Sequence, residues 1–541
     1  MSDSSSGSAL RLQSRIRRSP VGSAVAAPVA VAIAATALGV WRLMPGVGFW
    51  DTAEFQTVPP ILGTAHPTGY PTYVILGWFA SAVLTPFGEA AFRMNLLSAI
   101  LVGLAAGLTV DLVRRLIGST VIAAAAGLGL AATPLVWAIA THADPHALHL
   151  LFVVAILWLL VRWDQVRMAD SSRADRWLVA AAVVTGLSAG NHSLTLLLGV
   201  PIGLYVLAIE PEILRRRGFV LRCLAAFLIA GALVYLELPL RGGLIPALRA
   251  PLVYGSPSTL GGFVYVATGE QFRGGLNDPF GDLPGKAGEL VGLTVQQFGV
   301  LAPLLVPAFI VTASRFPAYA LLTGSAMAIT CFFDSAYVNA DIERYYLGPA
   351  LFAWTWLAIL AATVMELIVM TLPPPTVERE PGRAARRRAA RRRLQYLSVV
   401  ALAAVVLLGP TLADMPRRAT IVDRSTDRAA QAWLDDVLAE LQPNAVVLSW
   451  WSFSTPLWYA QLIERRRPDI AVIDDRTRLD EHLGELTDVI DANLATRPVY
   501  VLRFAASELD ALRSRYDLTP LDAALGYNVS RVSARTAAAR P

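Results

Sequence analysis

Two carboxylates three positions apart, Asp51 and Glu54 in GFWDTAEFQ, follow the first long apolar run of the chain, where a helix would leave a bilayer. Carboxylates at i and i+3 share one face of a helix, so both can approach a single group, and their repulsion raises the proton affinity of one. A fixed carboxylate beside a reacting hydroxyl serves as a general base. The plainer reading is a solvated helix end, with Phe49 and Trp50 in an aromatic belt. Five more polar clusters follow: His66 to Tyr70 in AHPTGYP; His142, Asp144 and His146 in THADPHALH; Asn191 with His192; Arg241, Tyr254, Tyr265, Gln271 and Arg273; and Asp341, Arg344 and Tyr345 in DIERYY. Charged residues near a bilayer are costly to desolvate, so their gathering at one level marks a functional site. His142, Asp144 and His146 match metal ligands by type. Asp144-Pro145 is equally an ordinary helix start, with Asp as N-cap and Pro at the first helical position, and no metal is expected. Asn191 and His192 either satisfy backbone groups where a helix breaks or touch a substrate.

The elements that hold these clusters are membrane helices. With 541 residues, 55% hydrophobic and 16% charged, and many apolar windows of about 20 residues, the chain is read as a polytopic α-helical membrane protein. The net charge of +5 comes from arginines between apolar runs, where the positive-inside bias explains them, so no nucleic-acid partner is expected. Cys223 and Cys331 lie inside apolar runs and imply no disulfide framework.

Arginine parity sets the expected topology. Arg11, Arg15, Arg17 and Arg18 make residues 1–22 a cytoplasmic tail, and the run from about 24 to 44 delivers GFWDTAEFQ to the outside. The stretch 71–86, bounded by Pro71 and Pro86, reads as an interfacial or re-entrant helix in an outer loop over 45–92. Runs at 92–113, 119–140, 147–163, 177–209 (two short helices broken at Gly190-Asn191-His192-Ser193), 219–238, 288–312, 317–336, 346–370 and 395–413 complete about eleven crossings. The membrane domain is thus 23–413, with a basic cytoplasmic loop over 371–394. Residues 414–541 alternate strand-like AVVLSW, IAVID and VYVLRF with helical patterns, which predicts a small extracytoplasmic α/β domain with a parallel sheet. Its Trp450, Trp451, Phe453 and Trp458 belong either to its core or to a face toward membrane or substrate. The protein is expected in the plasma membrane.

The stretch GFWDTAEFQTVPPILGTAHPTGYPTYVILGWFASAVLTPFGEAAFRMNLLSAI resembles the N-terminal signature of the DUF2723 family, which includes an endoplasmic-reticulum protein O-mannosyltransferase of vertebrates. The hallmarks are the acid-x-x-Glu segment, then Gly63, His66, Pro67, Gly69, Tyr70 and Pro71, and then Arg93, Asn95 and Ser98, with weaker echoes in GLSAGNHSLTLLLGVP and DIERYYLGPA. Two departures stand out: Thr68 where the family more often has Pro, and Asp144-Pro145-His146 where it has a Glu-Val-Tyr-like stretch, which leaves Asp144 without a family role.

The resemblance implies a GT-C-like glycosyltransferase: a multi-helix membrane body, a catalytic acid in the first outer loop, and a polyprenyl-phosphate sugar as co-substrate. The expected reaction is metal-independent, inverting transfer of mannose or another hexose to a hydroxyl of a protein or glycan acceptor outside the cell. Asp51 is the expected base and Glu54 its support. Arg93, Arg241 and Arg344, with His66 and His192, are expected at the donor phosphate, because a phosphate leaving group needs charge neutralisation rather than a second acid. Tyr70, Asn95 and Tyr345 complete the expected substrate-binding set. No cofactor is expected beyond the lipid-linked sugar. A transporter or flippase is the competing class; it would place its ionisable groups near the bilayer midplane.

Overall fold

The computed structural model describes residues 21–339, 341–371, 383–521 and 529–535. The tail arginines Arg11, Arg15, Arg17 and Arg18, and residues 372–382 of the basic loop, lie outside the described residues.

A helical bundle forms the body. The helix Val21–Trp41 lies against Ala90–Ile117, and the approach is close because the contact is made of small residues. A Cβ at Gly103 would stand 2.0 Å from the Thr36 hydroxyl, and one at Gly107 would stand 2.6 Å from the Pro28 carbonyl. The central helices Ala90–Ile117, His146–Arg167 and Leu347–Thr371 bury most of their side chains in one core with Tyr73, Trp163 and Trp354.

Six helical spans among the described residues are long and apolar enough to cross a membrane: Ala90–Ile117, His146–Arg167, Arg217–Leu244, Leu283–Arg315, Ile342–Thr371 and Ala390–Ala413. The sequence suggested about eleven. Helices occupy each expected run, but several are short or broken. The run 119–140 divides into Thr120–Ala131 and Pro134–Ile139, because Pro134 forces Thr133 into extended backbone. The run 177–209 breaks where expected, into Ser171–Ala189, a tight turn over Ser193–Leu198, and Gly199–Ile209. The helix read as interfacial forms as Pro71–Val83 and exposes Trp78, Phe79 and Val83.

The C-terminal part is a five-stranded sheet of β1 (Val446–Ser449), β2 (Ala471–Asp474), β3 (Val499–Leu502), β4 (Tyr516–Pro520) and β5 (Val529–Ala534), in the order β2-β1-β3-β5-β4. β1 pairs in parallel with β2 and β3, with Val446 beside both Ala471 and Val499. The three strands read from sequence are these. The antiparallel pair β4 and β5 was not foreseen, because strands this polar carry little hydrophobic signal. Alternate residues serve opposite faces: Val447, Tyr500 and Leu502 join one core, and Val446, Leu448, Val499 and Val501 the other.

The first of those cores extends into the membrane body. Val47, Ala53, Ala90 and Ala91 pack with Trp433, Leu434, Phe453 and Leu457, and the Ala91 N–H donates to the Tyr459 hydroxyl at 3.1 Å. The helix Trp50–Ile61 is therefore clamped between the bundle and the α/β domain. The aromatic quartet divides. Phe453 and Trp458 are core, Trp450 is exposed beside Trp50, and Trp451 turns its ring onto His66 at 5.4 Å.

Candidate active site

The acidic segment is held from both ends. Ahead of it, the Gly48 N–H donates to Gln56 Oε1 at 2.9 Å, while Gln56 Nε2 donates to the Gly46 carbonyl at 3.1 Å and to Asn95 Oδ1 at 2.8 Å. Behind it, the helix ends at Leu62 and leaves carbonyls without helical partners. Arg241 fills them, donating from Nε to the Leu62 carbonyl at 2.6 Å and from Nη2 to the Ile61 carbonyl at 3.2 Å. The chain then folds back through Gly69, whose φ of +81° suits a residue without Cβ.

Glu54 is fully buried and both of its oxygens face His66: Oε1 accepts the His66 N–H at 2.8 Å, and Oε2 closely meets Nδ1. Burial pulls the His66 imidazole down, but the carboxylates of Glu54 and Asp51 outweigh it and hold its pKa above the ordinary value. The other ring nitrogen of His66 lies 3.3 Å from the Tyr70 hydroxyl. Asp51 is less enclosed, and its Oδ2 accepts from Arg344 Nη2 at 3.0 Å.

Arg344 binds three carboxylates, donating also to Asp341 Oδ2 at 2.8 Å and to Asp144 Oδ2 at 3.3 Å. Asp144 is buried. Its Oδ1 accepts both the N–H of His146 and His146 Nδ1, each at 2.7 Å. Burial pushes the Asp144 carboxyl up, but His146, Arg344 and His142 more than reverse this, so it stays well below the usual carboxylate range. The loop that carries it is fixed by the Arg-x-Asn-Leu-Leu-Ser segment: Asn95 Oδ1 accepts the Ala143 N–H at 2.9 Å, and Ser98 Oγ accepts the Asp144 N–H at 3.1 Å.

These groups meet in a cavity of about 340 Å³. Asp51, His66, Tyr70, His146, His192, Arg273, Arg344 and Tyr345 are among its polar lining, and Leu194, Leu196, Phe272, Leu276 and Phe333 among its apolar lining. His192 offers Nδ1 to the Leu194 N–H at 3.1 Å and lays its ring 4.7 Å from that of His146 and 5.3 Å from that of Tyr345.

Of the residues expected from sequence, Asp51, His66, Tyr70, His192, Arg344 and Tyr345 are brought together, with Glu54 directly behind. The other three lie away from the cavity lining. Arg241 caps a helix. Arg93 donates to the Ser81 carbonyl at 2.8 Å and to the Thr85 hydroxyl at 2.9 Å, where the carbonyls of a helix end need donors. Asn95 ties Met44, Gln56 and Ala143 together inside the fold. Asp144 and His146 were singled out in THADPHALH but given no role at the site, and Trp451 was read only as core or as facing membrane or substrate. Asp51, Glu54 and His66 also bring possible metal-ligand atoms within 4.8 Å of one another. Both Glu54 oxygens also meet His66.

A multi-helix body, an acid in the first turn of the helix Trp50–Ile61, an arginine facing it, and a small α/β domain packed over that helix make up a fold that this chain shares with solved membrane proteins. Residues 51–213 match the family model described as Protein O-mannosyl-transferase TMEM260 N-terminal domain. It is 34% identical to mouse Protein O-mannosyl-transferase TMEM260 over 235 residues, covering 41% of this chain and 30% of that one. The Dictyostelium discoideum protein of the same name is 21% identical over 535 residues, covering 88% and 64%. The chain thus spans from under a third to under two thirds of the length of these relatives. Among solved structures, ArnT from Cupriavidus metallidurans bound to undecaprenyl phosphate superposes with a TM-score of 0.60 at 17% identity, covering 96% of this chain and all of that one. An Archaeoglobus fulgidus oligosaccharyltransferase tethered with an acceptor peptide gives 0.51 at 14% identity, covering 92% and 74%.

Proposed function

We propose that this protein is a membrane glycosyltransferase that moves a hexose, mannose foremost, from a polyprenyl-phosphate donor to a hydroxyl of a protein or cell-envelope acceptor on the extracytoplasmic side. In this reading the body over 23–413 crosses the plasma membrane about eleven times. The tail 1–22 and the loop 371–394 are cytoplasmic, and 414–541 lies outside with the cavity.

Asp51 takes the proton of the acceptor hydroxyl as its oxygen attacks the anomeric carbon on the face opposite the phosphate, which inverts that centre. Arg344 meets the charge that develops on the phosphate leaving group. The apolar wall of Leu194, Leu196, Phe272 and Leu276 suits the first units of a prenyl chain. Arg344 also explains how the base stays quiet before the donor binds: the guanidinium holds Asp51, and an arriving phosphate competes for it and frees a carboxylate lone pair. Glu54 keeps His66 in place beside that carboxylate. The similar ArnT holds undecaprenyl phosphate, and the similar oligosaccharyltransferase holds an acceptor peptide. These are the two ligand classes the reading requires.

The observation that carries the proposal is Arg344 bridging Asp51 and Asp144 at the polar end of a cavity whose other wall is apolar. The test is to incubate purified protein with polyprenyl-phosphate-linked mannose, glucose or arabinose and a membrane extract, and to identify what becomes glycosylated. Transfer from one of these donors, lost with the D51N variant, is the expected result; no transfer from any of them, with the protein folded, overturns the proposal.

A further inference from the structure

We infer that His146 is a second arm for the phosphate of a polyprenyl phosphate, oriented by Asp144; the inference rests on the donor reading above. The Asp144 carboxylate accepts the backbone N–H and the Nδ1 of His146 through one oxygen, each at 2.7 Å, so the imidazole is pinned at two points and keeps its proton on Nδ1. Its other nitrogen, Nε2, then faces away from Asp144. His146 lines the cavity yet is only 4% exposed, and Nε2 has no hydrogen-bond partner among the described residues. A buried polar atom without a partner is costly, and one at the wall of a cavity calls for a ligand.

The surroundings name the ligand's charge. The second oxygen of Asp144 accepts from Arg344, so a single carboxylate orients two groups able to carry positive charge toward the same space. His192 does not supply the same positive charge, because its Nδ1 accepts the Leu194 N–H and the ring is therefore held neutral. Tyr345 stacks on the His146 ring at 5.5 Å and completes the enclosure. An anion at Nε2 selects the doubly protonated ring, with Nδ1–H to Asp144 and Nε2–H to a phosphate oxygen. The phosphate then meets His146 and Arg344, both already held by Asp144.

In the transfer step the acceptor oxygen forms a bond to the anomeric carbon, the bond from that carbon to the phosphate oxygen breaks, and its electron pair stays on the phosphate. The acceptor proton goes to Asp51. The extra negative charge on the departing polyprenyl phosphate is met by Nε2–H, so His146 holds the product as well as the donor.

The test is binding of undecaprenyl phosphate to the full chain in detergent, which needs no acceptor and no turnover. H146Q should weaken binding about tenfold, and D144N by a similar factor, as expected for a lost charge-assisted bond. H146K, which restores a cation, should recover part of the loss. A second measurement uses the wild type alone: undecaprenyl phosphate should slow modification of His146 by diethyl pyrocarbonate, read site by site by mass spectrometry. Wild-type affinity in H146Q together with unprotected His146, while R344Q loses binding, overturns this inference and leaves the donor reading standing. Failure of the wild type to bind undecaprenyl phosphate at all overturns both.

Discussion

Asp51 Oδ2 and Arg344 Nη2 stand 3.0 Å apart, joining the first turn of the helix Trp50–Ile61 to a turn 293 residues further along the chain. The pair sets what each partner does. D51N keeps the size of the side chain and an oxygen for Arg344 but removes the base, so turnover should fall by roughly 10² to 10⁴ with donor affinity nearly intact. Single-turnover rates and donor Kd, measured side by side, check this. Retention of more than about a tenth of wild-type turnover would move the base elsewhere. E54Q acts differently, because Glu54 is enclosed and bound to His66; its main effect should be lower thermal stability.

The three arginines once grouped at the donor phosphate should now separate. R344A should raise the apparent KM for a polyprenyl-phosphate sugar by about 10- to 150-fold, the equivalent of about 1.5 to 3 kcal/mol for a charge-assisted bond. R241A and R93A remove donors from backbone carbonyls, so they should lower the melting temperature and leave the KM of the folded fraction within about twofold. Equal KM effects in all three would show that Arg241 and Arg93 reach the donor after all.

Asp474, at the end of β2, gives a pH test of the α/β domain. It is buried, its Oδ1 accepts the Thr477 N–H at 2.7 Å, and burial pushes its carboxyl up to about 6. A raised folded pKa means that its contribution is fully present below the ordinary carboxylate value and is lost as pH rises through about 6. Above that pH the fold carries an ionised buried carboxylate. D474N, which stays neutral and can still accept from Thr477, should therefore stabilise the protein at pH 8 by up to about 3 kcal/mol and have little effect at pH 4. Melting curves at the two pH values decide it; an equal gain at both would exclude titration of Asp474 as the cause.

The proposed orientation places a tag at the C-terminus, and another near residue 270, on the outer surface of intact cells, while a cysteine introduced at position 385 is shielded. Impermeant-reagent labelling reads all three positions. Labelling at 385 in sealed cells would invert the topology and put the cavity on the wrong side for an extracytoplasmic acceptor.

Local sequence determined the elements. Long apolar runs became helices, the break at Asn191-His192 and the short helix Pro71–Val83 fell where they were expected, and AVVLSW, IAVID and VYVLRF became β1, β2 and β3. Such elements follow from side-chain periodicity and from proline and glycine, which act over a few residues. The acid after the first helix was legible for the same reason. Six of the residues named from sequence line one cavity, as expected if charged groups gather where they are spared burial in lipid.

Only the tertiary structure decided the partners. Arg241 and Arg344 are the same residue type on the same expected side, yet one caps the helix end at Leu62 and the other faces Asp51. Asp144 illustrates both levels at once. Asp144-Pro145 does open a helix, one residue later than predicted, with Asp144 Oδ1 accepting the His146 N–H. Its other oxygen accepts from Arg344, 200 residues away. A hydrogen bond forms over about 3 Å, and which groups come that close is set by how distant helices pack, a relation that no window of local sequence contains.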